Sequence, residues 1–322
     1  MFFSKNQRVK KSFIKILVNH FTSSSSSINN KSLKIKDVLK ETRDKLNTCS
    51  NKSIVDSSDL DSRLLVSDLL GFQDSKSILL LNRKQEIDSQ QYEKLQSFIN
   101  KRLQSEPISY ILGYKYFWKH KFNCNSSTLI PRPDSEILIE TILELKNEID
   151  IKRVLDLGTG TGCLLLSVLD EIKDSQGFGI DQSNDALDVA KQNSIDLQLS
   201  TRSTFINANW NDINQFPVLE PFDIIISNPP YISFDEYNTL NDTVKKFEPK
   251  SALIAKENGL QDYRIIGSLI RSRKLLNPNG FIVFEIGKDQ HLDIENIMKD
   301  FGFTLYLSKK DLSGIIRCLI FK

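Results

Sequence analysis

Histidine is scarce in this chain. Its three copies, His20, His120 and His291, form no i,i+4 pair, so neither a helical metal site nor a His-centred triad is expected. Cysteine is nearly as scarce: Cys49, Cys124, Cys163 and Cys318 stand far apart with no C-x-x-C spacing. That argues against a zinc site or a disulfide framework and for a reducing compartment. No stretch approaches the roughly 18 to 20 apolar residues of a membrane span, and no membrane partner is expected. Acidic residues are missing from the first 36 positions, which hold eight Lys or Arg. Beyond them 35 basic residues face 41 acidic ones, a net of −6 in a chain that is +2 as a whole.

The basic start contains the apolar run Phe13–Val18, interrupted by Lys15, and then Ser23–Ser27. Basic, acid-free, Ser-rich and partly amphipathic is the description of a mitochondrial transit peptide, expected over residues 1–30. A plain basic tail, and with it a cytoplasmic location, is the alternative. Residues 31–109 read as a small helical domain. Ile35, Val38, Leu39 and Leu46 share a helix face, Ser57-Ser58-Asp59 caps a helix through Leu70 that Gly71 ends, and Asp88 or Ser89 caps Gln90–Leu103. Residues 110–130 read as a β-hairpin linker, because Tyr116, Trp118, His120 and Phe122 alternate with polar residues. His120 reads as a solvent-facing strand residue there.

Residues 131–322 alternate strands and helices, the pattern of a doubly wound parallel α/β sheet. Strands are expected near 153–157, 177–181, 203–207, 222–227 and 281–286, and Phe303–Ser308 with Gly314–Phe321 as a closing antiparallel hairpin. Periodicity alone does not separate this from a dehydrogenase.

The most specific signal is Asn228-Pro229-Pro230-Tyr231, directly after the apolar run Asp223–Ser227. Two prolines without N–H groups force the chain out of the sheet. The turn presents one amide, backbone carbonyls and one aromatic ring. The Asn228 side-chain oxygen and the Pro229 carbonyl suit the two N–H bonds of a planar amide or amino nitrogen, and the Tyr231 ring suits its plane. Upstream, Arg153–Leu157 runs into Gly158-Thr159-Gly160-Thr161-Gly162 and a helical stretch. That G-x-G-x-G spacing is not the G-x-G-x-x-G of dinucleotide binders. Asp181 at the next strand's end can take both ribose hydroxyls of a nucleoside. Asp156 before the glycines favours S-adenosylmethionine, which carries an ammonium and a sulfonium and no phosphate. Trp210 flanks an adenine or packs in the core.

Together these segments resemble the HemK/PrmC protein glutamine methyltransferases. So do Leu129–Glu136, Phe247-Glu248-Pro249, Gly259-Leu260 with Tyr263-Arg264, Phe284–Gly287 with Gln290, and Asp311-Leu312 with Gly314 and Arg317. The likeness covers roughly residues 60–322. Ser135 stands where Thr is usual, and Asn279-Gly280 where Gly-Gly is common. The resemblance implies a seven-stranded Rossmann-like sheet with one reversed edge strand and an N-terminal substrate-docking domain, for which a structural cap is the alternative. It implies a monomer that methylates the Gln of the Gly-Gly-Gln loop of a class I peptide chain release factor. Cofactor contacts fall to Asp156, Leu157, Gly158, Thr159, Gly160, Asp181, Trp210 and Asn228. Substrate contacts fall to Asn228, Pro229, Pro230 and Tyr231, with Asn228, Pro229 and Tyr231 closest to the chemistry. The Ile130–Glu136 loop reads as an ordered lid whose Arg132 pairs with a carboxylate, or as an N-capping loop with surface charges. Glu248 and Glu285 have no role legible from the residues.

Three other readings remain. An amino-methyltransferase acting on a flipped adenine or guanine would suit the same tetrapeptide, but no Lys/Arg stripe accompanies it, so no direct nucleic-acid contact is expected. A methyltransferase fold retained only for binding is a second, and a dehydrogenase a third.

Overall fold

A computed structural model describes residues 33–72 and 86–322. The expected transit segment, residues 1–30, lies outside the described residues. The chain divides into two compact units, residues 1–100 and 101–322.

In the first unit, helix Ile35–Leu46 buries Ile35, Val38, Thr42 and Leu46 at three- and four-residue spacing. The next helix, Lys52–Leu69, begins earlier than the Ser57–Asp59 cap expected from sequence. Asn51 caps it, its side chain accepting from the Ser53 N–H at 3.1 Å, and Ser58 is buried within the helix. An Asx side chain one turn upstream satisfies the first orphan donors, so the serines are free to lie inside. Gly71, at φ +73°, follows its end as expected. Helix Ser89–Leu103 starts with a reciprocal cap: Gln91 N donates to Asp88 Oδ1 at 2.8 Å, and Asp88 N to Gln91 Oε1 at 3.0 Å. Two short strands, β1 (Leu33–Lys34) and β2 (Glu86–Ile87), pair antiparallel.

The second unit opens with helix Ile108–Leu112 and the hairpin β3 (Tyr114–Phe117) and β4 (His120–Asn123). His120 does not face solvent freely: its Nε2 lies 2.9 Å from Asp170 Oδ2. The seven-stranded sheet follows, from β5 (Arg153–Leu157), β6 (Gln176–Asp181), β7 (Ser203–Asn207), β8 (Phe222–Ser227), β9 (Leu276–Glu285), β10 (Leu305–Lys310) and β11 (Ile316–Phe321). Their spatial order is β10-β11-β9-β8-β5-β6-β7. All pairings are parallel except β11 with its two neighbours.

The reversed strand is therefore β11, and it is not the edge strand that sequence reasoning expected. The physical cause is composition. Cys318–Phe321 are fully buried, whereas β10 carries Ser308, Lys309 and Lys310 and is largely exposed. The apolar strand takes the interior place and the lysine-bearing one guards the edge.

Strand alternation divides the core into two faces. Val154, Ile224, Ile226, Phe281, Val283, Cys318 and Ile320 pack with helices Glu136–Leu145 and Cys163–Glu171. Leu155, Leu157, Ile225, Ile282, Phe284, Leu319 and Phe321 pack with helices Gln261–Arg273 and His291–Asp300. By the same alternation Asp156 and Glu285 fall on the first face, at the carboxyl ends of β5 and β9.

Candidate active site

After β5 the chain turns through three glycines in the left-handed region, Gly158, Gly160 and Gly162 (φ +80°, +53° and +77°), before helix Cys163–Glu171. The N–H groups of Gly158 and Thr159 both donate to the Ile180 carbonyl, at 2.8 and 2.9 Å, which locks the turn to β6. Nothing lies within 4 Å of where a Gly160 side chain would start. Backbone is thus bared toward open space.

Asp181 ends β6 beside this turn. Its Oδ2 accepts from Gly160 N at 3.0 Å and its Oδ1 from Ser183 N at 2.9 Å. These two bonds fix the carboxylate and leave each oxygen further acceptor capacity, the arrangement that vicinal hydroxyls require. Burial raises its pKa, and the backbone N–H donors oppose that. After β7, Trp210 donates its indole N–H to Asp262 Oδ1 at 2.8 Å. Its ring lies 3.2 Å from the position of a Cβ on Gly158, which at φ +80° favours glycine there.

Asp156 is fully buried behind the glycine turn. Thr159 donates to its Oδ2 at 2.7 Å, while Oδ1 has no hydrogen-bond partner. Desolvation raises its pKa to about 7, against the Thr159 bond and with the help of the Asp181 charge.

Asn228-Pro229-Pro230-Tyr231 leaves the end of β8, where the Ser227 hydroxyl donates to the Leu157 carbonyl at 2.7 Å. Asn228 Nδ2 donates to Ser135 Oγ at 3.3 Å. Ser135 in turn donates, through a short bond, to Glu285 Oε2. The other oxygen, Glu285 Oε1, accepts from the Tyr231 hydroxyl at 3.3 Å. Burial raises the Glu285 pKa, while Ser135, Tyr231 and the Arg317 charge oppose. The backbone of the tetrapeptide is pinned as well: Gln290 Nε2 donates to Tyr231 O at 3.1 Å and Asn258 O at 3.3 Å, while its Oε1 accepts from Gly287 N at 2.9 Å.

The Pro131–Glu136 loop is ordered, with a 3₁₀ turn at Pro133–Ser135. Arg132 meets a carboxylate as expected, and its partner is Glu248, at 2.5 Å. Glu248 also accepts from Ile130 N at 3.0 Å. One buried carboxylate thereby ties together two loops that both face the pocket.

That pocket lies off the carboxyl ends of β5, β6, β7 and β8, where open α/β sheets bind ligands. Gly158, Gly160, Asp181, Trp210, Asn228 and Pro230 line it, with Thr128, Leu129, Pro249 and Ser251 on the loop side. Asp156, Leu157, Thr159, Pro229 and Tyr231 are not among its lining residues and stand behind or beside it. A roomier cleft sits at the opposite ends of the strands, among residues 146–151 and 171–174, and brings no Gly turn or amide together.

Sequence reasoning gave no role to Glu248, Glu285, Ser135 or Gln290. Only their bonding partners, 59 to 150 residues away in sequence, supply one. Only Glu285 carried a signal: its carboxyl ends the apolar string Phe281–Phe284 and must be satisfied by something.

The donor set fits S-adenosylmethionine. The half-buried Asp181 at the pocket wall suits hydroxyls, and the buried Asp156 behind it, with an orphaned oxygen, suits a cationic group. Gly158, Gly160, Asp181 and Trp210 would hold its nucleoside part. Among the described residues no cluster of His, Cys, Asp or Glu has the arrangement of a metal site, and no helix is long and apolar enough to cross a membrane.

Comparison with known proteins gives concordant results. Residues 37–113 match the PrmC N-terminal domain and residues 150–309 a methyltransferase domain. The release factor glutamine methyltransferase of Agrobacterium fabrum is 36% identical over 82% of this chain and 90% of its own length. That of Clostridium acetobutylicum is 36% identical over 89% of this chain and 98% of its length. The bifunctional methyltransferase of Rickettsia felis is 33% identical over 89% of this chain, which spans 58% of that longer protein.

Proposed function

We infer the function from one premise: this chain belongs to the release factor glutamine methyltransferase family, and is an S-adenosylmethionine-dependent methyltransferase. The proposed acceptor is the side-chain amide nitrogen of the Gln in the Gly-Gly-Gln loop of a class I peptide chain release factor. The observation that carries this reading is the Asn228 amide. Its NH₂ is engaged by Ser135, so its oxygen is the end left to receive an incoming N–H at the pocket wall.

An amide nitrogen is a weak nucleophile because its lone pair is delocalised into the carbonyl. Asn228 Oδ1 and the Pro229 carbonyl accept its two N–H bonds. They enrich the nitrogen and stabilise the positive charge that develops on it as it attacks. The Tyr231 ring covers the amide plane, and the two prolines hold all three groups in fixed relation. The bound cofactor supplies a sulfonium-activated methyl group. Proton loss from nitrogen follows transfer and needs no histidine base.

The basic, acid-free first 36 residues support a mitochondrial matrix location and a mitochondrial release factor as substrate. The curated relatives named above are bacterial, and a cytoplasmic enzyme is the alternative.

The test is transfer from methyl-labelled S-adenosylmethionine. The acceptors are a mitochondrial class I release factor, the same factor with its loop Gln changed to Ala, duplex DNA and ribosomal RNA. Label in the Gln factor alone establishes the reaction. Label in nucleic acid overturns it in favour of base methylation.

A further inference from the structure

We propose that Glu285 is a positioning residue that sets, through Ser135, which end of the Asn228 amide faces the substrate. This rests on the amide-methylating reading above.

An Asn side chain can present either an acceptor oxygen or a donor NH₂, and the two ends are nearly the same size. Accepting an amide N–H requires the oxygen end. Steric fit does not choose between them; hydrogen-bond polarity does. Glu285 closes β9 with its carboxylate buried, at 2% exposure for the residue. Both Glu285 oxygens act as acceptors, Oε2 from the Ser135 hydroxyl and Oε1 from the Tyr231 hydroxyl. The Ser135 hydroxyl has one proton and gives it to Glu285 Oε2. On its other side Ser135 Oγ can then only accept, and what it accepts is the Asn228 NH₂ at 3.3 Å. The amide oxygen is thereby the free end. Remove the acceptor at 285 and the Ser135 proton is released to bind Asn228 Oδ1 instead. The amide then turns over and offers an N–H to a substrate that itself offers N–H groups.

The same side chain takes the Tyr231 hydroxyl on Oε1, so the ring and the amide of one tetrapeptide are referred to one buried carboxyl group. Neither Glu285 nor Ser135 lines the pocket. Their effect is on orientation, and cofactor binding should be indifferent to them.

The experiment compares the full chain with Ser135→Ala, Ser135→Thr, Glu285→Met and the Ser135→Ala/Glu285→Met double variant. Methionine is chosen as an apolar residue of similar size; because it leaves the Ser135 and Tyr231 hydroxyls without their acceptor, thermal unfolding is read beside kcat. The readouts are kcat and KM for the release factor, the cofactor Kd by calorimetry, and thermal unfolding. Ser135→Ala and Glu285→Met are expected to lower kcat about 10- to 100-fold with the cofactor Kd unchanged within about threefold. Ser135→Thr keeps the hydroxyl and should recover most of the loss. The double variant should fall no further than the lower single, because the two residues act as one unit. Should Glu285→Met fail to fold, the Ser135 pair decides alone.

The inference is overturned if Ser135→Ala keeps kcat within about threefold of wild type. Cofactor affinity falling in step with kcat, or threonine failing to rescue, overturns it too. A wild-type chain that leaves the release factor unlabelled sinks the substrate reading itself, and that is seen before any variant is made.

Discussion

In the proposed reaction Asn228 and Asp181 divide the work at the level of single residues. Loss of the aimed oxygen in Asn228→Ala should lower kcat by at least roughly 10²-fold. Folding and cofactor affinity should be intact; near-normal turnover would remove Asn228 from the chemistry. Asp181 holds no reacting atom. Asp181→Ala should weaken S-adenosylmethionine roughly 10- to 100-fold, the range for hydrogen bonds to a charged group. An unchanged calorimetric Kd would exclude it from the ribose contacts. Asp156 makes a third, pH-dependent case. Its folded pKa, about 7, lies above the ordinary carboxylate value, so the folded state holds its proton more tightly than the unfolded one. Its contribution to stability is full below about pH 4 and is lost as pH rises toward 7, by about 1.4 kcal/mol for each pH step of one. Asp156→Asn cannot ionise, so its stability relative to wild type should improve steadily across that window. Urea titrations at about pH 4.5 and 7 that give the same difference between the two proteins would refute this.

Among the elements, the tetrapeptide is held by its own prolines and by the segment it touches. Glu257, Asn258 and Gly259 are all left-handed (φ +52°, +54° and +89°), and a Cβ on Gly259 would lie 2.0 Å from the Tyr231 carbonyl oxygen. Gly259→Ala forces backbone against backbone at a positive φ. It should cost at least about 2 kcal/mol, in the range of strained backbone positions, and depress kcat by shifting Tyr231. A denaturant midpoint equal to wild type would contradict the tight approach. Sequence reading found every strand of the large sheet and the two site turns, because apolar runs ending in Gly or Pro carry local meaning. It misplaced the start of helix Lys52–Leu69, where Asn51 and the serines compete as caps. The reversed strand, expected at the edge from the family resemblance, lies one place in, since which strand is exposed is decided by pairing. Sequence reading gave Glu285 and Glu248 nothing to do, because their partners Ser135 and Arg132 are 150 and 116 residues away.

For the molecule as a whole, ligand and stability are linked. S-adenosylmethionine at about 100 times its Kd should add about 2.7 kcal/mol against unfolding. Asp181→Ala, at that same concentration, should keep only about 0.4 to 1.4 kcal/mol of the gain. Equal denaturant shifts in the two proteins would show that binding does not pass through Asp181. The order of the strands carries a consequence for folding. β11 follows β10 in sequence yet lies between β10 and β9, joined to Glu285–Ile282 on one side and to β10 on the other. Until β11 docks, β10 has no place in the sheet and the flank of β9 stands open. That flank ends in Glu285, so an undocked hairpin leaves the strand behind the Asn228 turn with a bare edge. Such an edge invites pairing with another chain. Losing the hairpin should therefore bring aggregation and loss of the working site together.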